Sequence, residues 1–217
     1  MAAIGVVAIL IAGCGGDVQS GSPSLDSGGP ATAGASASPA GVALTFPPSQ
    51  TPIEPGTYRW DGFERPISFI LGSGWELGHD NPAFFDLFRG SDFPAVTFGR
   101  FSDVYADRTE RVDAGDVASV KTALLGRTDL TVTDVSSIEL GGLEGWQFDL
   151  ATLGARTPLF FGPAGDFKLD PEFATRYRVL DFPGGGVLVI GIHARADAFD
   201  AGVALGDPVV ATLVVEP

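Results

Sequence analysis

From about residue 52 onward, apolar and polar side chains alternate in short runs, the period of strands buried on one face. Pro55-Gly56 is a turn signal, and residues 57–60 read as a short strand. Ile67, Phe69 and Leu71 alternate with Ser68 and Ile70. Gly72-Ser73-Gly74 then predicts a hairpin turn into residues 75–77. Residues 84–89 and 95–101 are two more strands, joined by a turn at 90–94. At Asp116 the period changes. Val117, Val120, Leu124 and Leu125 recur every three or four positions, which predicts an amphipathic helix capped by Asp113 or Asp116 and stopped by Gly126.

Alternation resumes at Leu130 and Val132, then at Ile138 and Leu140, with Gly141-Gly142 as a tight turn. Trp146, Phe148 and Leu150 form one face of the next strand, with Gln147 and Asp149 on the other. Arg176, Arg178 and Leu180 alternate with Tyr177, Val179 and Asp181. Pro183 and Gly184–Gly186 turn the chain. Residues 187–192 are continuously aliphatic, which predicts a central strand covered on both faces. Asp197 caps a short helix through Phe199 and Val203, Asp207-Pro208 reads as a second helical start, and residues 212–216 end in a strand. Residues 154–173 read as a long loop carrying Leu159, Phe160, Phe161 and Phe167. The pattern predicts eight or nine strands and two helical segments: an α+β domain with helices packed on an antiparallel sheet. A β-sandwich is the alternative if the helix at 116–125 does not form.

The first 51 residues follow no such period. Residues 1–14 are apolar and end in Ile11-Ala12-Gly13-Cys14. A stretch this short falls below the roughly 20 residues a bilayer-spanning helix needs, and its length fits a secretory signal. The chain lacks the Lys or Arg that usually opens such a signal, since its first basic residue is Arg59. The expectation is therefore that Met1 is a displaced start. Residues 15–51 read as a disordered tether. Gly, Ser, Ala and Pro fill 25 of the 36 positions from 15 to 50, too little apolar surface to offset the entropy of ordering. Residues 52–217 hold all three Trp and all three Tyr and form the globular domain.

Ile11-Ala12-Gly13-Cys14 resembles the lipobox of bacterial lipoproteins. That resemblance implies a diacylglyceryl group on the Cys14 thiol and cleavage before it. It implies export and anchoring to the outer side of the cell membrane. Pro55-Gly56-Thr57-Tyr58, Pro66-Ile67-Ser68-Phe69, Gly74-Trp75, Ile138-Glu139-Leu140-Gly141-Gly142, residues 146–150, Phe199 and residues 207–213 resemble a group of uncharacterised lipoproteins from high-GC, actinobacterial-type bacteria. Their domains are similar in layout to the PsbP-like fold. These motifs are turns and core aromatics, so they carry over no catalytic residue.

Charge excludes one class of partner. With 13 basic and 27 acidic residues the chain is formally −14, the opposite of a nucleic-acid footprint. One cysteine excludes an internal disulfide and a multi-cysteine metal site. His193, with Asp197 or Asp200, is the only candidate for a hydrolase triad. No Gly-x-Ser-x-Gly turn accompanies it, and Ser73 lies in a hairpin signal. His79-Asp80 makes a poor metal site, and Asp166, Asp170 and Glu172 read as a solvated hairpin tip. Phe84, Phe85, Phe88 and Phe93 crowd one strand whose neighbours must point to opposite faces. The expectation is a binding domain and no enzyme, with no cofactor and no metal. Its partners are the membrane, reached through lipid on Cys14, and a cell-envelope protein or a small ligand. The alternative is a lipoprotein that takes a lipid or small molecule in a pocket between sheet and helix.

Overall fold

The computed structural model describes residues 42–43, 51–90 and 94–217. The lipobox with Cys14, nearly all of the tether and Phe93 lie outside the described residues. In chain order the strands are β1 (Val42–Ala43), β2 (Thr51–Ile53), β3 (Gly56–Trp60), β4 (Ile67–Leu71), β5 (Trp75–Asn81), β6 (Phe84–Phe88), β7 (Ala95–Arg100), β8 (Asp103–Tyr105) and β9 (Arg111–Asp113). Helix α1 (Val117–Leu125) precedes β10 (Leu130–Leu140), β11 (Leu143–Thr152), β12 (Thr157–Gly162), β13 (Gly165–Leu169), β14 (Phe173–Asp181) and β15 (Val187–Arg195). Helix α2 (Phe199–Val210) and β16 (Val214–Val215) follow.

The eight-stranded sheet β10-β11-β14-β15-β7-β6-β5-β2 is the frame. Its central strand β15 is buried at every position but the last. Val187 and Val189 pack into one apolar core, while Leu188, Ile190 and Ile192 pack into another on the opposite face. The continuous aliphatic run is therefore a strand covered on both sides. One face carries the sheet β1-β3-β4-β16 together with α2, and the other carries the sheet β13-β12-β8-β9 together with α1. On the first face Phe85 centres an aromatic stack, with ring centroids 4.9 Å from Phe98, 5.0 Å from Trp60 and 5.7 Å from Phe69.

This corrects the α+β expectation. The described residues are mostly antiparallel β, 53% strand against 15% helix, and the faces assigned to helices are largely covered by other sheets. Helix α1 does form, with Asp116 as its cap accepting from the Ser119 N–H at 2.7 Å, so the condition attached to a β-sandwich is not met either. Three local readings change with it. Strands β4 and β5 do not pair: Gly72–Gly74 carries the chain from one sheet to the next, β4 joining β3 and β16, and β5 joining β6 and β2. The stretch 154–173 is largely the β12–β13 hairpin. Asp207-Pro208 starts no new helix, since Pro208 lies within the last turn of α2. Among the described residues no helix is long and apolar enough to cross a membrane.

Candidate functional site

A cleft of about 620 Å³ opens between the first turn of α1 and the far end of the β10–β11 hairpin. Its origin is a mismatch of lengths. The eleven residues of β10 extend about 36 Å, whereas the nine of α1 rise about 13 Å, so the helix covers only part of the hairpin. Gly141 and Gly142, both left-handed at φ 60° and 78°, make the two-residue turn that lets the strands run on to Leu140 and Leu143.

Strand alternation sets what faces the cleft. Trp146 shares the α1 side of β11 with Phe148 and Leu150, as the sequence predicts. Its indole carries the Lys121 ammonium, 2.9 Å from the ring centroid. Glu139 and Glu144 lie directly opposite each other across the hairpin, a like-charge pair that costs stability until a cation or hydrogen-bond donor arrives. Asp181, at the end of β14, accepts the N–H of Val117 at 3.1 Å. Among the described residues none of these three carboxylates is in an ion pair. The lining offers an aromatic edge and acceptors. It attracts donors and positive charge and holds no nucleophile paired with a base.

The residues singled out by sequence lie elsewhere. His193 is buried on β15. Its Nδ1 is 2.8 Å from the Thr175 hydroxyl and its Nε2 is 3.1 Å from that of Thr97. Burial lowers its pKa to about 4. Asp197 pairs instead with Arg195 at 3.4 Å, so no carboxylate orients this imidazole. His79 is exposed, 3.5 Å from Asp86, whose carboxyl burial pushes upward. Asp166 accepts from the Tyr105 hydroxyl at 2.6 Å and pairs with Lys168 at 3.1 Å, while Asp170 pairs with Arg156 at 3.2 Å. The described residues hold no group of three or more metal-type side chains. Phe85 is fully buried, whereas Phe84 and Phe88 are half-buried on the opposite face. The cleft's walls come from four elements; the sequence pattern predicts α1, the Gly141-Gly142 turn and the Trp146 face, but not that these meet at Asp181 to form a cleft.

No family model matches the chain, and no curated protein matches it. Solved structures do. A crystal structure from Bacteroides thetaiotaomicron VPI-5482 is similar over 70% of this chain and 45% of that one, with 10% identity and a TM-score of 0.39. This chain thus spans less than half the length of that neighbour. The solution structure of cyanobacterial PsbP (CyanoP) from Synechocystis sp. PCC 6803 is similar over 69% of this chain and 86% of that one, with 16% identity and a TM-score of 0.35. The likeness to a PsbP protein is one of structure at low overlap, and it lends this chain no ligand, partner or activity.

Proposed function

We propose that the protein is an exported bacterial lipoprotein, anchored to the extracytoplasmic face of the membrane through lipid on Cys14, whose domain binds a ligand without converting it. The cleft between α1 and the β10–β11 hairpin carries the binding half of this reading. It is concave, and its volume falls within the range common for small-ligand sites. Its three carboxylates, Glu139, Glu144 and Asp181, are in no ion pair among the described residues, and Ser137 adds a hydroxyl. The ligand it suits is small, with donor groups or positive charge facing the carboxylates. The anchoring half rests on residues 1–14 and the Gly/Ser/Ala/Pro-rich tether. A Gly/Ser/Ala/Pro-rich sequence of that length would reach about 30–36 Å as a random coil, enough to hold an acidic domain clear of the lipid headgroups.

Native mass spectrometry of the protein gently extracted from its own membrane tests both halves. The expected result is a diacylglyceryl mass on the chain beginning at Cys14, and a second, non-covalent mass that disappears when Glu139 and Glu144 are both changed to Gln. An unlipidated chain refutes the anchor. A ligand retained by the double variant places binding elsewhere, and turnover of that ligand by purified protein refutes the non-enzymatic reading.

A further inference from the structure

The β12–β13 hairpin covers a buried polar row on the second face of the central sheet. Thr97 on β7, His193 on β15 and Thr175 on β14 form a continuous chain of hydrogen bonds through the two imidazole nitrogens. The ring lies over Gly191, where an added Cβ would come within 2.7 Å of Nε2. Tyr177 stands edge-on to it, with centroids 5.9 Å apart. Phe167 of β13 closes it from above at 5.4 Å. One threonine hydroxyl donates to the neutral ring and the other accepts from it, so neutral imidazole is fully satisfied. An imidazolium in the same place would be a desolvated charge with no counter-ion touching it.

We propose that β13, the outer strand of the β12–β13 hairpin, is an acid-released flap, held shut while the imidazole beneath Phe167 is neutral; β12 stays in place, paired with β8 and with Leu159 and Phe160 in the core. The strands beneath are fixed by the ladders of β14, β15 and β7, so they do not yield first. Strand β13 is an edge strand bonded to β12 alone, and its packing is already incomplete. A cavity of about 100 Å³ remains among Phe84, Phe101, Phe167 and the Gly162–Gly165 turn. Lifting β13 lets water reach His193 and bares Phe101, on which Phe167 packs at 5.7 Å.

The surrounding charges do not substitute for this group. On β6, Asp86 shares a face with Thr97, but burial raises its pKa. Protonation of Asp86 therefore favours the closed fold as pH falls, the opposite sign. His79 on β5 is solvated beside it. Asp166 and Lys168 flank Phe167 on β13 and pair with each other; Asp166 is held below 3.8 chiefly by the Tyr105 hydroxyl, so its tie to β8 is lost only in acid below that value, outside the range from pH 8 to 5. The His193 ring takes a proton at about 4 when covered, against 6.5 when free. The closed state is thus fully favoured above 6.5, loses ground as pH falls to 4, and loses no more below that. Linkage gives an open fraction about 30-fold higher at pH 5 than at pH 8, approaching about 300-fold well below pH 4.

Hydrogen exchange read by mass spectrometry on the full chain, corrected for intrinsic rates, tests the flap. Protection over residues 165–169 is expected to fall about 30-fold between pH 8 and 5 while that of β4 and β15 holds, and to stay flat in His193→Gln. Should that variant not fold, ring titration of the wild type by NMR takes its place, with Phe167 signals moving in step with His193 charging. The flap is overturned by β13 protection that is pH-independent in the wild type. It is equally overturned by the same fall in His193→Gln, by loss of protection across the whole domain in parallel, or by a ring that titrates near 6.5 with Phe167 unmoved.

Discussion

Arg127 follows α1 directly, and its side chain is wholly buried. The guanidinium donates from Nε and Nη2 to the two oxygens of Asp129 at 2.9 and 2.8 Å. From Nη1 it donates to the carbonyls of Tyr105 at 3.2 Å and Pro158 at 2.6 Å. One side chain thus ties the end of the helix to β8, β12 and the approach to β10. Replacing it with Met keeps volume but leaves two carbonyls without their donor and a partly buried carboxylate without its closest cation. Removing one partner of a buried pair costs about 3–5 kcal/mol. Arg108 provides the control. It touches the same carboxylate at 3.1 Å from a half-exposed position, where such a pair is worth under about 1 kcal/mol. With a urea dependence of about 2 kcal/mol per molar, Arg127→Met lowers the denaturation midpoint by about 1.5–2.5 M, and Arg108→Met by less than about 0.5 M. The Asp129 carboxyl is held below its ordinary 3.8, chiefly by its hydrogen bond from Arg127. Its contribution is present above 3.8 and is lost as pH falls through the depressed value, so the Arg127 gap narrows in strong acid. Equal midpoints for the two variants at pH 7 would refute the reasoning.

Phe85→Ala opens a void amid Trp60, Phe69 and Phe98. It is expected to cost about 3–5 kcal/mol in the same denaturation assay; a cost under 1 kcal/mol would mean the stack is not the centre of its core. Asp116→Ala removes the acceptor for the Ser119 N–H and is expected to cost about 1 kcal/mol. Faster exchange confined to the first turn of α1 is its signature, and an unchanged rate there would show that Asp181 alone suffices as cap.

Period was the most legible signal in the chain. Val187 to Ile192 reads as a two-faced strand because no polar side chain interrupts it, and Trp146, Phe148 and Leu150 declare a face because Gln147 and Asp149 lie between them. Partner choice was less legible. Gly72-Ser73-Gly74 has the chemistry of a hairpin, yet Phe69 and Leu71 belong to one layer of the core and Trp75 and Leu77 to the facing layer. A glycine-rich turn that joins two strands also serves to carry a chain from one sheet to another. The β12–β13 hairpin escaped for a related reason. Pro158 breaks the strand signal, and a register shift beside Leu159 places Leu159 and Phe160 both in the core, which strict alternation does not allow. At Asp207-Pro208 the local rule for a helix start lost to continuity. The chain had already made two turns of α2, and Pro208 continues it inside the last turn at the cost of one helical N–H bond.

The cleft has no local signature, and its construction explains why. Glu139, Glu144 and Asp181 each look like an ordinary exposed acid in sequence, on a chain rich in acids. What distinguishes them is position. The first two are opposed by the register of a hairpin whose turn lies at Gly141-Gly142. The third is brought to them by the pairing of β11 with β14, which sets Gly145 against Leu180. Shifting either register by one residue would turn these side chains to the other face, and the cleft would lose its charge without a change in composition. Gly145 guards the second register, because a Cβ there would run into the backbone of Val179 and Leu180. The cleft is therefore a property of strand pairing across some fifty residues of chain, from Leu130 to Asp181, and substitutions that disturb pairing at Gly145 are expected to remove the proposed ligand mass from native spectra as surely as loss of the carboxylates.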